Sequence, residues 1–181
     1  MSEIVKSKKN NIIEFDKPKL KLLKEQICKG ANDNEFELFK EVCLNTQLNP
    51  FKRQIFAVFR WDKNLNRKVM SIQTSVDGLR LIAERSGKYL GQTPTMWCGQ
   101  DGQWVDVWTK KEPPFAAKVG VWKEGHKEPT FAVARFLSYF QEKNFIWKKM
   151  PDLMIAKCAE SLALRKAFPN ETHGLYTNEE I

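Results

Sequence analysis

The sequence of 181 residues predicts an α+β fold: an antiparallel sheet with a β-hairpin, packed by helices and closed by a long, buried C-terminal helix. Three observations predict it. Strand-forming runs with alternating apolar residues fill the middle of the chain, helix-period runs with capping signals flank them, and turn signals fall between. With 42% hydrophobic residues, six Trp and twelve Phe, the chain can build one core. We place a single domain at residues 19–181, preceded by a flexible basic arm at residues 1–18.

The elements follow in chain order. The start, "MSEIVKSKKNN", mixes Lys, Asn and Ser without periodicity and lacks the apolar stretch of a signal sequence. From Lys19, the spacing of Leu20, Leu22, Leu23 and Ile27 predicts a short amphipathic helix stopped by Gly30. Asn32 or Asp33 caps a second helix with Phe36, Phe39, Val42 and Cys43 on its apolar face. It ends near Leu48, because Pro50 disfavours helical geometry at Asn49. The runs "QIFAVFRW" and "KVMSIQTS", joined by "DKNLNR", predict a hairpin with Phe56 and Val58 on its inner face. In "TSVDGLRLIAERSG", Thr74 and Asp77 fit a capping box and Gly87 a stop. Between Leu90 and Phe140, "TPTMWCG", "QWVDVWT", "AAKVGVWK" and "TFAVARFLSYF" predict antiparallel strands, the last run being equally compatible with helix. Turns are expected at Asp101-Gly102, Pro113-Pro114 and Glu124-Gly125.

The stretch "WKKMPDLMIAKCAESLALRKAFPN" reads as the closing helix, with Pro151 in its first turn and Pro169 at its end. Apolar or small residues cover most of its circumference, so burial on nearly all sides is expected. One line carries Lys157, Ser161 and Arg165. Eight residues separate the two cations by roughly 12 Å, the span of about three to four nucleotides of a stacked strand. Pairing with Glu160, or with acids elsewhere, is the alternative use of the same cations.

The formal net charge is +8 and the pI about 9.3. The excess concentrates in residues 1–30, with eight Lys/Arg against four acids, and in residues 51–91, with nine against three. Such an excess attracts nucleic acid or an anionic membrane surface, or solubilises the chain. No run approaches the ~18 apolar residues of a membrane span. Cys28, Cys43, Cys98 and Cys158 form no CxxC and have no His at ligand spacing, which predicts buried free thiols in a reducing cytoplasm. A phosphate-cradling GxxxxGK[ST] loop is missing. His126 and His173 read as turn or surface residues, and Asp77, Asp101, Asp106 and Asp152 stand apart, without the clustering that holds two catalytic metal ions. Basic residues interleaved with aromatics recur in "PFKRQIFAVFRW", a pattern of single-strand binders; Lys52 and Arg53 are the candidates there.

Four stretches in this order, "LNPFKRQIFAVF", "VDGLRLIAERSGKYLGQ", "WKKMPDLMIAKCAESLALRKAFPN" and "GLYTNEE", together resemble the phage Bet/RecT-type single-strand annealing proteins, from about Lys29 to Glu180. The resemblance implies a non-catalytic, ATP-independent recombinase of the bacterial cytoplasm. It would bind single-stranded DNA in a basic groove, anneal it to a complementary strand, and assemble with further copies into rings or helical filaments on the annealed duplex. No cofactor is required on this reading, and a Mg²⁺ requirement is not deducible. DNA contacts are expected at Lys29, Arg53, Lys123, Lys148, Lys149 and Arg165, with Lys157 beside the last. Asp152 stands where the family pattern has a lysine, so that contact is not carried over and Lys148 or Lys149 is its substitute. Arg80 is added from charge alone, with Glu84 in reach as an ion-pair partner on the same helix. Longer members carry a C-terminal segment that docks the phage exonuclease and the host single-strand-binding protein; with Ile181 following the motif so closely, those partners are left open. The competing functions are a passive single-strand binder and a metal-dependent nuclease.

Overall fold

Two antiparallel assemblies, a hairpin and a larger sheet, are joined by the helices that pack on them. The structure is a computed structural model and describes residues 12–180. Of the expected arm, residues 1–11 lie outside the described part. Phe15 packs edge-on against Phe51, with 6.4 Å between ring centroids. Helix α1 (Lys17–Leu22) starts at Asp16, whose carboxylate accepts from the Lys19 N–H at 2.9 Å, and runs into a π-helical turn, Leu23–Ile27. Helix α2 (Asp33–Thr46) has Asn32 as its cap, in a reciprocal capping box with Glu35. A 3-10 turn, Pro50–Lys52, leads to the hairpin of β1 (Ile55–Asp62) and β2 (Arg67–Thr74).

The hairpin turns its other side inward from the one expected. Ile55 is buried, and Ala57, Met70 and Ile72, which share its face through the register, pack on the core. Phe56 therefore points the opposite way. The cap of α3 (Val76–Arg85) is Ser75 rather than Thr74: the Ser75 hydroxyl accepts from Gly78 N–H at 3.0 Å. Thr74 is the last residue of β2, and its hydroxyl donates to the Gln54 carbonyl at 2.8 Å.

The larger sheet is built on β6 (Ala116–Lys123). One edge of β6 pairs with β7 (Thr130–Arg135); the other is shared end to end by β3 (Tyr89–Gln92) and β4 (Met96–Cys98), and β5 (Trp104–Val105) adds to β4. The run "TFAVARFLSYF" divides. Its first half is β7 and its second the short α4 (Phe136–Tyr139). "QWVDVWT" yields only two strand residues, whereas β3 forms from "YLGQ", outside the runs read as strands.

The closing stretch is two helices, α5 (Phe145–Lys149) and α6 (Pro151–Ala167), because Met150, at φ −136° and ψ 62°, breaks the helical path. A residue before proline is driven from helical geometry by the pyrrolidine ring. Helix α6 packs across β6 and β7. Alanines on both partners, Ala159, Ala163 and Ala167 on α6 and Ala117, Ala132 and Ala134 on the sheet, are buried, which lets helix and sheet approach closely. All four cysteines are buried and unpaired; burial pushes the Cys28 thiol up to about 11 and Cys43 up to about 12.

Gly78 seats the first turn of α3 on the hairpin base, since a Cβ there would lie 2.4 Å from both the Gln54 carbonyl oxygen and the Thr74 hydroxyl. Gly78→Ala is expected to destabilise the protein by about 1–3 kcal/mol, read as a lower urea midpoint. An unchanged midpoint would show that this contact relaxes freely.

Candidate nucleic-acid interface

Where the hairpin base, the start of α3, strand β4 and the first half of α6 come together, they leave a cleft of about 660 Å³ lined by Arg53, Arg80 and Lys157, by the carboxylates of Asp77, Glu160 and Glu179, and by Phe56, Gln92 and Trp97. The Trp97 indole N–H donates to the Asp152 carbonyl at 2.9 Å and ties β4 to the first turn of α6. Gln92 presents a buried Oε1 without a donor. Among the described residues, no group of His, Cys, Asp and Glu is arranged to hold a metal ion.

Each cation reaches the cleft by a different device. Arg53 follows the 3-10 turn at φ +57°, a left-handed conformation that costs a side-chain-bearing residue about 1–2 kcal/mol. Its N–H donates to the Pro50 carbonyl at 3.1 Å, and Asn49 clamps the loop by accepting from Gln54 and donating to the Gln54 side chain. Arg53 is exposed and makes no ion pair with any described residue. Arg80 is engaged: its Nη2 donates to Glu160 Oε2 at 2.7 Å, its Nε to Glu160 Oε1, and its Nη1 to Asp77 at 2.9 Å. Glu84 is not its partner. The Glu160 carboxylate is only 8% exposed, and this bidentate pair raises the Arg80 guanidinium above its ordinary value. Lys157 stands at the cleft with its Nζ 3.8 Å from Glu179, a half-exposed pair of the sort worth at most about 1 kcal/mol.

Past Lys157, the line through Ser161 and Arg165 is covered by the last described residues. The Thr74 N–H donates to the Tyr176 carbonyl at 2.9 Å, and Cys158 Sγ donates to the Glu179 carbonyl at 3.4 Å. Ser161 is fully buried beneath them. Arg165 pairs with Glu180, and its guanidinium lies 4.6 Å from the centre of the Tyr176 ring. Glu180, 2% exposed, also accepts from the Thr177 N–H and hydroxyl at 2.9 and 3.0 Å. Arg165 thus lies in an ion pair beneath the last described residues and is not among the residues lining the cleft.

The other candidates are dispersed. Lys52 is exposed next to Arg53, and Lys29 is exposed in the turn before α2. Lys148 and Lys149 are exposed just ahead of α6, while Trp147 between them and the core is fully buried against Phe136 and Phe140. Lys123 is at the far end of the same helix, roughly 25 Å away for 17 residues; its Nζ donates to the Ala167 carbonyl at 2.6 Å and lies 4.8 Å from the Phe168 ring centre. Sequence reasoning missed Gln92, Trp97 and the carboxylates Glu179 and Glu180. The sequence offers Glu160 as a partner for Lys157 or Arg165, but it pairs with Arg80, and the two cations take Glu179 and Glu180 from elsewhere.

The two cations of α6 should separate in a stability measurement. Arg165→Ala strands a buried carboxylate and is expected to cost about 2–4 kcal/mol, whereas Lys157→Ala should stay within about 1 kcal/mol, both by urea unfolding. Equal effects would contradict the assignment of Arg165 to a structural pair.

The chain matches the family model described as RecT family over residues 14–181. No curated protein shows significant similarity to it. With the match spanning nearly the whole chain, from the approach to α1 through the terminal segment over α6, this protein belongs to the RecT family, that of phage single-strand annealing proteins.

Proposed function

We propose that residues 19–181 act as one DNA-binding and annealing unit that holds single-stranded DNA at the cleft between hairpin, α3 and α6 and pairs it with a complementary strand without ATP. The observation that carries this reading is the convergence of Arg53, Arg80 and Lys157 on one open cleft. Arg53 contributes an unpaired charge. Lys157 exchanges its weak partner Glu179 for a phosphate at little cost, and Lys52 extends the basic rim beside Arg53. Arg80, held by Glu160 and Asp77, positions the wall. Lys29, Lys148 and Lys149 are exposed and serve as outlying phosphate contacts along a longer strand, or on neighbouring copies in a ring or filament.

The mechanism needs no bond-making step. Cations at the cleft neutralise two strands that would otherwise repel, and released counterions make the affinity depend on salt. A multimer holds many nucleotides at once and raises the effective concentration of complementary segments. Base pairing then supplies the free energy.

Two labelled complementary oligonucleotides, mixed with and without the protein in the absence of ATP at two salt concentrations, provide the test. Acceleration that weakens with salt is expected. Slower annealing would point to a passive binder, and cleavage in Mg²⁺ that a chelator stops would point to a nuclease. Arg53→Gly isolates the cleft. It relieves the left-handed strain, so the urea midpoint should hold or rise, while the salt slope of single-strand binding should fall by about 0.7 for the one lost phosphate contact. An unchanged slope removes Arg53 from the DNA path.

A further inference from the structure

The outward face of the larger sheet takes no part in the cleft. Along β7, Ala132 and Ala134 are buried while Phe131, Val133 and Arg135 are exposed. Their partners on β6 are Gly120 opposite Phe131, Lys118 opposite Val133 and Ala116 opposite Arg135; Cys98 links Ala116 to Trp104 across the sheet. Residues directly opposite share a face and alternate residues return to it. Trp104, Lys118, Trp122 and Phe131 therefore lie on one side.

The geometry of this side is that of a platform. Lys118 Nζ lies 4.4 Å from the centre of the Trp104 ring and 5.7 Å from that of Phe131. The Phe131 ring lies against Gly120, where a Cβ would come within 2.7 Å of it. Phe131 remains 43% exposed, Val133 49% and Trp122 37%. A solvated sheet face is ordinarily polar, and these rings break that rule. The outward residues of β4, β6 and β7 include Lys118 and Arg135 but no carboxylate. Asp101 and Glu112 share a pocket with Arg135, but the strand residues around Lys118 are flat apolar rings without a carboxylate, and these match a ligand that offers flat apolar faces and negative charge. A duplex keeps its base faces inside its own stack, so the matching form is single-stranded. Two copies meeting through this face about a two-fold axis would set Lys118 and Arg135 against a surface of the same sign.

We propose that this face is a second binding site for single-stranded DNA, with bases stacked on Trp104, Phe131 and Trp122 and phosphates held by Lys118 and Arg135. Lys118 and Trp122 are four strand residues apart, about 14 Å, enough for about four nucleotides. The ligand class rests on the annealing reading, but none of these residues belongs to the cleft. One protomer then offers two places for a strand on separate walls.

The test uses oligo-dT, which cannot pair with itself, and fluorescence anisotropy on the full chain. Phe131→Ala and Trp122→Ala are each expected to weaken binding about tenfold, while Phe131→Tyr and Trp122→Phe, which keep a ring, restore it. Photocrosslinks from 4-thiothymidine in the same oligonucleotide should fall on β5, β6 and β7 as well as on the cleft. Alanine variants that bind like the parent, with crosslinks confined to the cleft, overturn the proposal and leave the annealing reading standing. A change of oligomer size in the DNA-free variants with unchanged affinity per protomer also overturns it, making the face a contact between copies. A parent chain that binds no oligo-dT overturns both readings.

Discussion

A helix buried on nearly every side must find partners, supplied by other elements, for the charges it carries. That constraint organises this protein. Helix α6 carries Lys157, Glu160, Ser161 and Arg165 among apolar neighbours, and most of them recruit a distant segment: Glu160 takes Arg80 from α3, Lys157 takes Glu179, and Arg165 takes Glu180. A buried unpaired charge costs several kcal/mol, so removing any partner that is itself buried is felt through the whole body. The half-exposed pair at Lys157 is the exception, and it is the one that opens on the cleft.

The same pairs decide which cations keep their charge available to a ligand. Arg80 and Arg165 are held by carboxylates that are themselves almost inaccessible, so their charge is consumed locally and their role is to place walls. Arg53 has the reverse character, an exposed guanidinium on a backbone held in a left-handed conformation by the Asn49–Gln54 clamp. Backbone strain of this kind persists where surroundings over-determine it, and it gathers at binding sites. The hairpin base, through Gln54 and Thr74, carries that loop, the start of α3 and the terminal segment together. Arg53, Arg80 and Glu179 are therefore held in one arrangement.

The larger sheet is two-sided in chemistry as well as in geometry. Its inner face is small and apolar, matched to α6. Its outer face keeps aromatic rings and cations in the open, although period-two alternation alone would predict polar residues there. The alternation in "TFAVARF" shows which residues part company, but not that the exposed ones come to lie beside Trp104 and Trp122 from other strands.

By itself, the amino-acid sequence determined the α+β class, the hairpin, a cap for α2 at Asn32 or Asp33, the buried character of α6 and the family. Each of these is written in local periodicity, in capping chemistry or in ordered motifs. It did not determine the break at Met150, the shift of the cap from Thr74 to Ser75, the strand β3, or the face that the hairpin turns inward. Those depend on hydrogen bonds and packing between segments far apart in the chain. The site divides in the same way. Charge and motif order selected Arg53, Arg80, Lys157 and Arg165 as candidates, but only the tertiary structure decided that Glu160 and Glu180 lie within reach of two of them. A cation's availability depends on which carboxylate the fold delivers to it, and that distance is set in three dimensions, not along the chain.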